Sequence, residues 1–580
     1  MTRRGWLALW ALILFGVVLR AWGLDFALPN EGRPDEMALL NAVIQNMGTP
    51  LQQGSTALNP GFFYHPSLFL YLLLPPVLCV FFMGAAGLPG IAHYAGWQDF
   101  LLAYHAGDPS VYLAARWLSV LAGALAIPAT GLLAYHLLAS DKPADIARAR
   151  QTGWISALYA TVCYALVRNS HFGVMDMLMA TLCTATLALC VRTLQEAPGS
   201  SQSRRWALWA AVLTGLSLGT KYFSVTLLAP LLFTLILSRH SFVGIIRAVL
   251  VVLIVFAVTS PWVFLSGPEA WSHVVYGLRA MQDNLPLSVP GWRFYPGFAL
   301  RHGLGELLCL AALAGMVLNV WLGVRKQQTA SVSSRSAVLW AFGVAISLPL
   351  ALSHVGMTRY ALPLVPVLLV SAALATEWIA TCITDRWPAC PKPAMLGLVL
   401  AGVLCLQTLW TSLQFDRLMA TPDTRNIARA WLISHVPQMQ AVATGPRIGK
   451  IQLPHAYGQL QLEAALSNLN LQPSDAYQAV DFQSRVIQSY LNMPLLKSWG
   501  IQTVVMYQGQ PLFANPPREL ATYRAAPDRA AEVFRVSPLP DGKPVPGDAL
   551  FDPLDAFFLP YAGFEGWQRP GPAITIFQLK

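Results

Sequence analysis

Residues 206–238 read WALWAAVLTGLSLGTKYFSVTLLAPLLFTLILS. This apolar run is about twice as long as one membrane span, for which roughly 20 helical residues suffice. Gly219-Thr220-Lys221 interrupts the run near its middle. We therefore expect two short helical passes that meet at a tip, with Lys221 at the tip.

The composition of the whole chain fits a lipid environment. Hydrophobic residues make up 55% of the 580 residues and charged residues only 11%. A soluble domain carries roughly 25% charged residues, and even a large chain needs them to cover its surface. The mean hydropathy is +0.50. These values exclude a soluble enzyme, a fibre and a disordered chain, and they indicate an integral membrane protein.

Nine further apolar runs have spanning length. They lie near residues 6–24, 110–139, 153–170, 172–192, 244–262, 303–324, 337–352, 361–384 and 394–413. Basic residues form short clusters between the runs, such as Arg204-Arg205 and Arg325-Lys326. If the eleven passes cross the membrane in alternating directions, all these basic clusters lie on the same face. The positive-inside rule identifies that face as cytoplasmic. The net charge of +10 thus reflects orientation. The sequence contains no basic stripe with interleaved aromatic residues of the kind that binds nucleic acid.

The opposite, outer face receives the remaining loops. These are residues 25–109, 171–176, the tip at Lys221, 263–302, 353–360 and everything after 414. The segment 66–87 is also apolar enough to span, but one extra pass there would invert every later loop. Either this segment dips into the outer leaflet, or a second pass lies within 88–109. The expected architecture is thus a polytopic α-helical membrane protein with about 11–13 transmembrane helices.

The composition becomes that of a soluble domain from about residue 415. Thr421-Pro422-Asp423 is a helix start signal, and short β-like runs follow. These are residues 441–444, 502–507, 532–536 and 574–579. We therefore predict a transmembrane domain over 1–414, with a first outer loop over about 25–109, and a small α/β domain over 415–580 on the outer face.

Two sets of carboxylates are predicted on the outer face. Asp35 and Glu36 are adjacent and repel each other, so they need a function or counter-ions, although a solvated turn would also accommodate them. Asp176 opens an apolar helix, where the helix dipole alone would favour it. Arg116, within a span, needs a buried counter-ion, and Glu36 is a candidate.

Two cations are predicted on the same face. Lys221 breaks an apolar double span, where it either snorkels to the interface or binds an anion. Arg359 lies on the outer side against the positive-inside preference, as an interfacial anchor or a second phosphate ligand. Carboxylates and cations together suit transfer of a group from a lipid phosphate to a hydroxyl. A carboxylate takes the acceptor proton, and the cations stabilise the leaving phosphate.

The order and sidedness of several short motifs resemble the GT-C membrane glycosyltransferases, the group that includes protein O-mannosyltransferases and lipid A aminoarabinose transferases. The motifs are Pro34-Asp35-Glu36, Tyr64-His65-Pro66-Ser67-Leu68, Ala115-Arg116-Trp117-Leu118-Ser119, the Asp176 segment, Gly219-Thr220-Lys221-Tyr222, Arg359-Tyr360-Ala361-Leu362-Pro363 and Arg569-Pro570-Gly571-Pro572. The last of these is similar to bacterial members. The resemblance spans nearly the whole chain and implies a GT-C fold.

The resemblance also implies roles for individual residues. Asp35 would be the catalytic base, Glu36 would pair with Arg116 to hold its loop, and Asp176 would be the second acid of the active site. Lys221 and Arg359 would lie near the donor phosphate. The other substrate-binding residues would be His65, Tyr222 and Tyr360.

The implied partners are a polyprenyl-phosphate-linked sugar donor, membrane lipid, and an acceptor that is a protein, a glycolipid or a polysaccharide. The implied location is a bacterial inner membrane with a periplasmic active site. Family members differ in metal use, so the resemblance leaves open whether a divalent cation is a cofactor. The sequence has no strong metal-ligand spacing. The rival functions are a transporter or flippase for a lipid-linked sugar, and a non-catalytic assembly protein. A transporter would show repeated halves, which the sequence lacks.

Overall fold

The computed structural model describes the chain in segments. The described residues are 3–284, 289–325, 329–387, 392–437, 440–444, 451–453, 492–498, 500–509, 517–540, 543, 545–546, 549, 551–552 and 555–580. They form two compact units. The membrane unit comprises Met1–Ala21, Leu39–Val77 and Ala114–Gln414, and the C-terminal unit comprises Trp22–Ala38, Leu78–Leu113 and Phe415–Lys580.

Most of the described chain is helical. In chain order the main helices are α1 (Arg3–Ala21), α2 (Pro34–Asn41), α3 (Leu68–Ala85), α4 (Trp97–His105), α5 (Ser110–Leu138), α6 (Pro143–Val162), α7 (Tyr164–Asn169), α8 (Asp176–Thr193), α9 (Ser201–Thr220), α10 (Leu228–Leu237), α11 (Phe242–Thr259), α12 (Gly267–Asn284), α13 (Glu306–Val324), α14 (Ala330–Leu352), α15 (Val365–Arg386), α16 (Pro393–Met419), α17 (Thr424–His435), α18 (Met493–Ser498) and α19 (Pro517–Arg524).

Shorter helical pieces join these elements. They are the 3₁₀-helices Tyr222–Leu227 and Thr358–Leu364, the π-helices Ala42–Gly48 and Tyr295–Leu300, and the α-helical turns Thr49–Gln52, Pro261–Leu265, Gly291–Phe294 and Arg301–Leu304. Within the described residues, eight helical segments are long and apolar enough to cross a membrane, and two further apolar helices are shorter. The predicted polytopic helical membrane architecture is confirmed.

The predicted break at Lys221 is present. Helix α9 ends at Thr220, Lys221 is extended (φ −154°, ψ 130°), and α10 begins at Leu228 after a 3₁₀ turn. Pro230 explains the restart, because its missing N–H and its ring exclude it from the interior of a helix continued from α9. Gly219 lies against α11, since a Cβ there would be 2.3 Å from Thr259 Oγ1. A larger side chain would push the two helices apart.

The helix in the predicted pass over 153–170 is broken at Cys163. Helix α6 ends at Val162 and α7 begins at Tyr164. The guanidinium of Arg20 donates to the carbonyls of Ala160 (2.8 Å) and Thr161 (2.9 Å). These buried bonds satisfy the backbone at the break, as a water-free environment requires.

Helix α3 covers most of the segment that the sequence left ambiguous. It runs unbroken over 18 residues and includes Pro75 and Pro76, and its length and hydropathy suit a span. The only helix that begins within 88–109 and ends there is α4, with nine residues. That is fewer than half of the roughly 20 residues that cross a bilayer.

Residues after 414 contribute a four-stranded mixed sheet, which fits the predicted small α/β domain. Its strands are β1 (Ala441–Thr444), β2 (Ile501–Gln508), β3 (Ala530–Val536) and β4 (Ala573–Leu579), in the order β1-β2-β4-β3. Strands β1 and β2 are parallel, and β4 is antiparallel to both β2 and β3. Helix α17 packs its Leu432 on one sheet face, and α18 and α19 pack Leu496 and Tyr523 on the other. Asp423 caps α17, as the start signal predicts.

Candidate active site

The segment before α8 places Asp176 by close backbone packing. A Cβ on Gly173 would lie 2.7 Å from Ala115 Cβ, so only glycine allows this loop to approach α5. Ser119 Oγ on the same helix donates to Val174 O at 3.0 Å. Asp176 follows as the first residue of α8 and is fully buried. Its carboxylate is therefore held in a defined place inside the membrane unit.

Lys221 and Arg359 converge on this carboxylate. Lys221 Nζ lies 2.5 Å from Asp176 Oδ1, and Arg359 Nη1 lies 3.9 Å from Asp176 Oδ2. All three residues are buried, with exposed fractions of 6% for Lys221, 3% for Arg359 and 0% for Asp176. We call these three residues the shared-carboxylate cluster. The structure thus brings together three of the site residues predicted from the sequence.

Aromatic rings flank the two cations. Lys221 Nζ is 5.0 Å from the centre of the Tyr360 ring, and Phe223 stacks on that ring at 6.3 Å. Arg359 Nη2 contacts Met357 Sδ at 3.2 Å. Cations near aromatic faces gain roughly 0.5–1 kcal/mol at exposed sites and about 2 kcal/mol when desolvated. Tyr360, a predicted substrate-binding residue, therefore lies beside the cluster, and Phe223 is a neighbour that the sequence reasoning missed.

Tyr222 and His65 belong to the surroundings of the 3₁₀ turn. Tyr222 Oη donates to Phe63 O at 3.2 Å, so the residue after Lys221 holds the 62–65 loop. In that loop Tyr64 stacks on His273 of α12 at 4.8 Å, and the half-buried His65 lies 6.2 Å from the Phe62 ring. His273 was also missed from the sequence, where its position on an amphipathic helix was the available signal.

Asp35 and Glu36 occupy the first turn of α2. Asp35 is half-buried and Glu36 is 1% exposed. Carboxylates in this position are favoured by the helix dipole. Arg116, on α5, is fully buried. Asp35 and Glu36 belong to the C-terminal unit and Arg116 to the membrane unit, and the pairing of Glu36 with Arg116 stays a prediction.

The shared-carboxylate cluster has the chemistry of an anion site. Two cations converge on one place, and burial lowers the local dielectric, which strengthens their attraction for an anion. A phosphate group is a suitable ligand, because Arg and Lys both bind phosphate well. Among the described residues, no group of three or more His, Cys, Asp or Glu side chains is placed to hold a metal ion.

A protein-family model matches residues 111–264, the region that contains Arg116, Asp176 and Lys221. Its description is dolichyl-phosphate-mannose-protein mannosyltransferase, and it covers roughly a quarter of the chain. A sequence comparison with the curated proteins gives no match.

Solved structures extend the likeness to the whole chain. The archaeal oligosaccharyltransferase AglB from Archaeoglobus fulgidus, solved with an inhibitory peptide and a dolichol-phosphate, has a TM-score of 0.51 at 11% identity, over 98% of this chain and 88% of its own. ArnT from Cupriavidus metallidurans, bound to undecaprenyl phosphate, has a TM-score of 0.51 at 15% identity, over 92% of this chain and 97% of its own.

The chain has the fold of the GT-C glycosyltransferases. The GT-C fold that the sequence motifs imply is thereby confirmed. The family match is confined to residues 111–264, and the solved structures show a likeness of fold.

Proposed function

We propose that this GT-C chain transfers a sugar from a polyprenyl-phosphate donor to a hydroxyl acceptor on the periplasmic face of a bacterial inner membrane. The observation that carries the proposal is the shared-carboxylate cluster, in which two buried cations face one carboxylate. The structural relatives were solved with dolichol-phosphate and with undecaprenyl phosphate, which are lipid phosphates of the proposed class.

In the proposed reaction, the acceptor oxygen attacks the anomeric carbon of the sugar. The bond from that carbon to the donor phosphate oxygen breaks, and the bond to the acceptor oxygen forms. Asp35 accepts the acceptor proton as general base. Polyprenyl phosphate leaves with one more negative charge, which Lys221 and Arg359 neutralise as it develops. Phosphate is a good leaving group, so the step requires no general acid.

Asp176 has a supporting role in this scheme. Its carboxylate orients Lys221 Nζ at 2.5 Å and lies 3.9 Å from Arg359. It therefore fixes both cations before the donor arrives, and such preorganisation lets them stabilise the transition state without rearranging. Tyr222, Tyr360 and His65 complete the proposed substrate-binding set. The two cations already supply charge to the phosphate, so we expect EDTA to change the transfer rate little or not at all.

The acceptor is a protein, a glycolipid or a polysaccharide hydroxyl in this proposal, and the periplasmic domain over residues 415–580 contributes to its selection. AglB was solved with an inhibitory peptide, which favours testing a protein acceptor first. Membrane lipid surrounds the transmembrane domain over residues 1–414.

The direct test incubates purified protein, in lipid nanodiscs, with radiolabelled undecaprenyl-phosphate mannose, glucose and galactose and with a membrane extract as acceptor source. A transferase moves label from the lipid to a product that mass spectrometry identifies. A flippase would leave the bond between sugar and phosphate intact and move labelled lipid across proteoliposomes. If the label stays on all three lipids, with or without extract, the proposed transfer from polyprenyl-phosphate sugars is contradicted.

Lys221→Met is the variant that tests the site, because methionine has an unbranched side chain of similar length and no charge. Arg301→Gln is its control, since Arg301 forms an exposed ion pair with Glu306 and has no proposed role. We expect transfer to fall only in Lys221→Met. Equal activity of both variants would remove Lys221 from the mechanism.

A further inference from the structure

The loop that leads into Asp35 is held by residues more than 390 positions later in the sequence, all within the C-terminal unit. We propose that the C-terminal domain clamps this loop and thereby positions Asp35 for proton transfer, with Arg33, Asp555 and Asn426 as positioning residues. The inference rests on the proposed function for the role of Asp35. It assigns the C-terminal domain a part in the chemical step, in addition to any selection of the acceptor.

The first contact of the clamp is a buried ionic group. Arg33 Nη2 lies 3.0 Å from Asp555 Oδ1 and 3.8 Å from Asp552 Oδ1, and all three side chains are fully buried. The backbone N–H of Ala556 donates to Gly32 O at 3.0 Å. Arg33 is therefore held by its side chain, and its neighbour by the main chain. Charge-assisted hydrogen bonds that are buried away from water hold their side chains more firmly than exposed ones do.

The second contact lies on α17. Asn426 donates from Nδ2 to Leu28 O at 3.0 Å, and its Oδ1 accepts from Asn30 Nδ2 at 2.5 Å. Arg425 Nη1 donates to Glu31 O at 2.8 Å. Three successive parts of the loop are thus bonded to one turn of one helix. These bonds and the Arg33 contacts leave the loop between residues 28 and 33 little freedom.

The clamp ends where the helix with Asp35 begins. Pro34 is the first residue of α2, and Glu36 N donates to Arg33 O at 3.1 Å. Proline at the first helical position fixes its own φ and restricts the residue before it. A movement of Arg33 is therefore passed directly to the first turn, where Asp35 lies. A misplacement of about 1 Å at a reacting group lowers rates by roughly 100-fold.

The test compares Asp555→Asn with Leu496→Ala in the full-length protein. Asp555→Asn keeps the shape of the side chain and removes the nearer of the two carboxylate charges that hold Arg33. Leu496 lies in the core on the opposite sheet face from α17, so its truncation destabilises the same domain without touching the loop. The assay measures the single-turnover rate and the donor affinity per folded molecule, with the undecaprenyl-phosphate sugar that the wild-type protein consumes.

We expect Asp555→Asn to lower the single-turnover rate by about 10- to 100-fold and to leave donor affinity within about twofold. Leu496→Ala should lower the melting temperature and keep the rate of the folded molecules. The decisive variant combines Asp555→Asn with Asp35→Asn. If the clamp acts through Asp35, the double variant is no slower than Asp35→Asn alone. A further full loss in the double variant would overturn the positioning role.

Amide hydrogen exchange gives a readout that does not depend on activity. Asp555→Asn should speed exchange in residues 34–41 by about tenfold or more, whereas Leu496→Ala should not. If Asp555→Asn fails to fold, Asn426→Ala replaces it, because it removes two loop contacts without leaving an uncompensated charge. Unchanged exchange in residues 34–41 of either folded variant would overturn the clamp. Wild-type transfer by Asp35→Asn would instead contradict the base in the proposed function.

Discussion

A buried ion pair of the C-terminal unit and a buried ion cluster of the membrane unit are built differently. In the C-terminal unit, Arg425 forms a fork with Asp423, with Nε–Oδ1 at 3.0 Å and Nη2–Oδ2 at 2.7 Å. We call this the forked pair. The same carboxylate caps α17 through the Arg425 N–H at 2.7 Å. In the shared-carboxylate cluster of the membrane unit, Lys221 is at 2.5 Å and Arg359 at 3.9 Å from one carboxylate.

We propose that the difference separates a structural ion pair from an anion site. In the forked pair, one cation meets one anion with ideal geometry, so its charges are neutralised within the fold. In the shared-carboxylate cluster, two cations from different elements face the same carboxylate, and Lys221 lies closer to it than Arg359. In our proposal, this convergence of two cations at one place is what suits the cluster to a phosphate group.

The largest effect on folding should come from breaking the forked pair. Arg425→Met leaves Asp423 buried and uncompensated, which costs roughly 3–5 kcal/mol. Adding Asp423→Asn should recover part of that loss, because asparagine still caps the helix and carries no charge. Thermal unfolding of both variants checks this. No recovery in the double variant would mean that the fork matters through shape rather than charge.

Asp35→Asn should have the largest effect on the chemical step alone. Loss of a general base lowers turnover by about 10²–10⁴-fold, while donor affinity should stay near the wild-type value. This outcome would separate proton transfer from binding at the proposed anion site. Single-turnover rates and donor titrations measure the two quantities. If the variant transfers sugar at the wild-type rate, Asp176 becomes the first candidate base.

Removal of one cation from the shared-carboxylate cluster should affect activity more than folding. Arg359→Met leaves Lys221 on Asp176, so the free energy of unfolding should fall by less than in Arg425→Met. Turnover should fall by about 10²–10³-fold, the usual effect of losing one group that stabilises transition-state charge. Parallel melting and transfer assays test this. A loss of stability as large as that of Arg425→Met would make the cluster structural.

The smallest effect concerns the backbone beside Lys221. Gly219→Ala places a Cβ against Thr259 and should cost roughly 1–3 kcal/mol through overpacking. Gly343→Ala is the matched control, because that helical glycine has open space around its Cβ position. The control should gain about 0.5–1 kcal/mol. Equal melting temperatures for the two variants would contradict the close approach of α9 and α11.

The sequence predicted those parts of the fold that depend on local pattern. Low charge and long apolar runs indicated a membrane protein, Gly219-Thr220-Lys221 indicated the helix break, and short β-like runs indicated the four strands. The break at Cys163 was not predictable, because it depends on Arg20 reaching carbonyls 140 positions away. No local pattern contains such a contact.

The site was predictable to a similar extent. Charge parity assigned Asp176, Lys221 and Arg359 to one face, because each breaks an apolar run or the positive-inside preference. That Lys221 and Arg359 both face the Asp176 carboxylate depends on tertiary distances, which the count of membrane passes does not give. The contacts of Asp555 and Asn426 with the 28–33 loop were likewise beyond sequence reasoning, because acidic and amide residues in a soluble domain are ordinary surface residues.

Binding of undecaprenyl phosphate, the proposed leaving product, tests the central claim most directly. The measurement compares wild type, Lys221→Met, Arg359→Met and the control Arg301→Gln in nanodiscs. Our account predicts that each site variant weakens binding by about 10- to 100-fold, as expected for the loss of one charged contact, and that the control matches wild type. Wild-type affinity in Lys221→Met and Arg359→Met would contradict the claim that the shared-carboxylate cluster binds the donor phosphate.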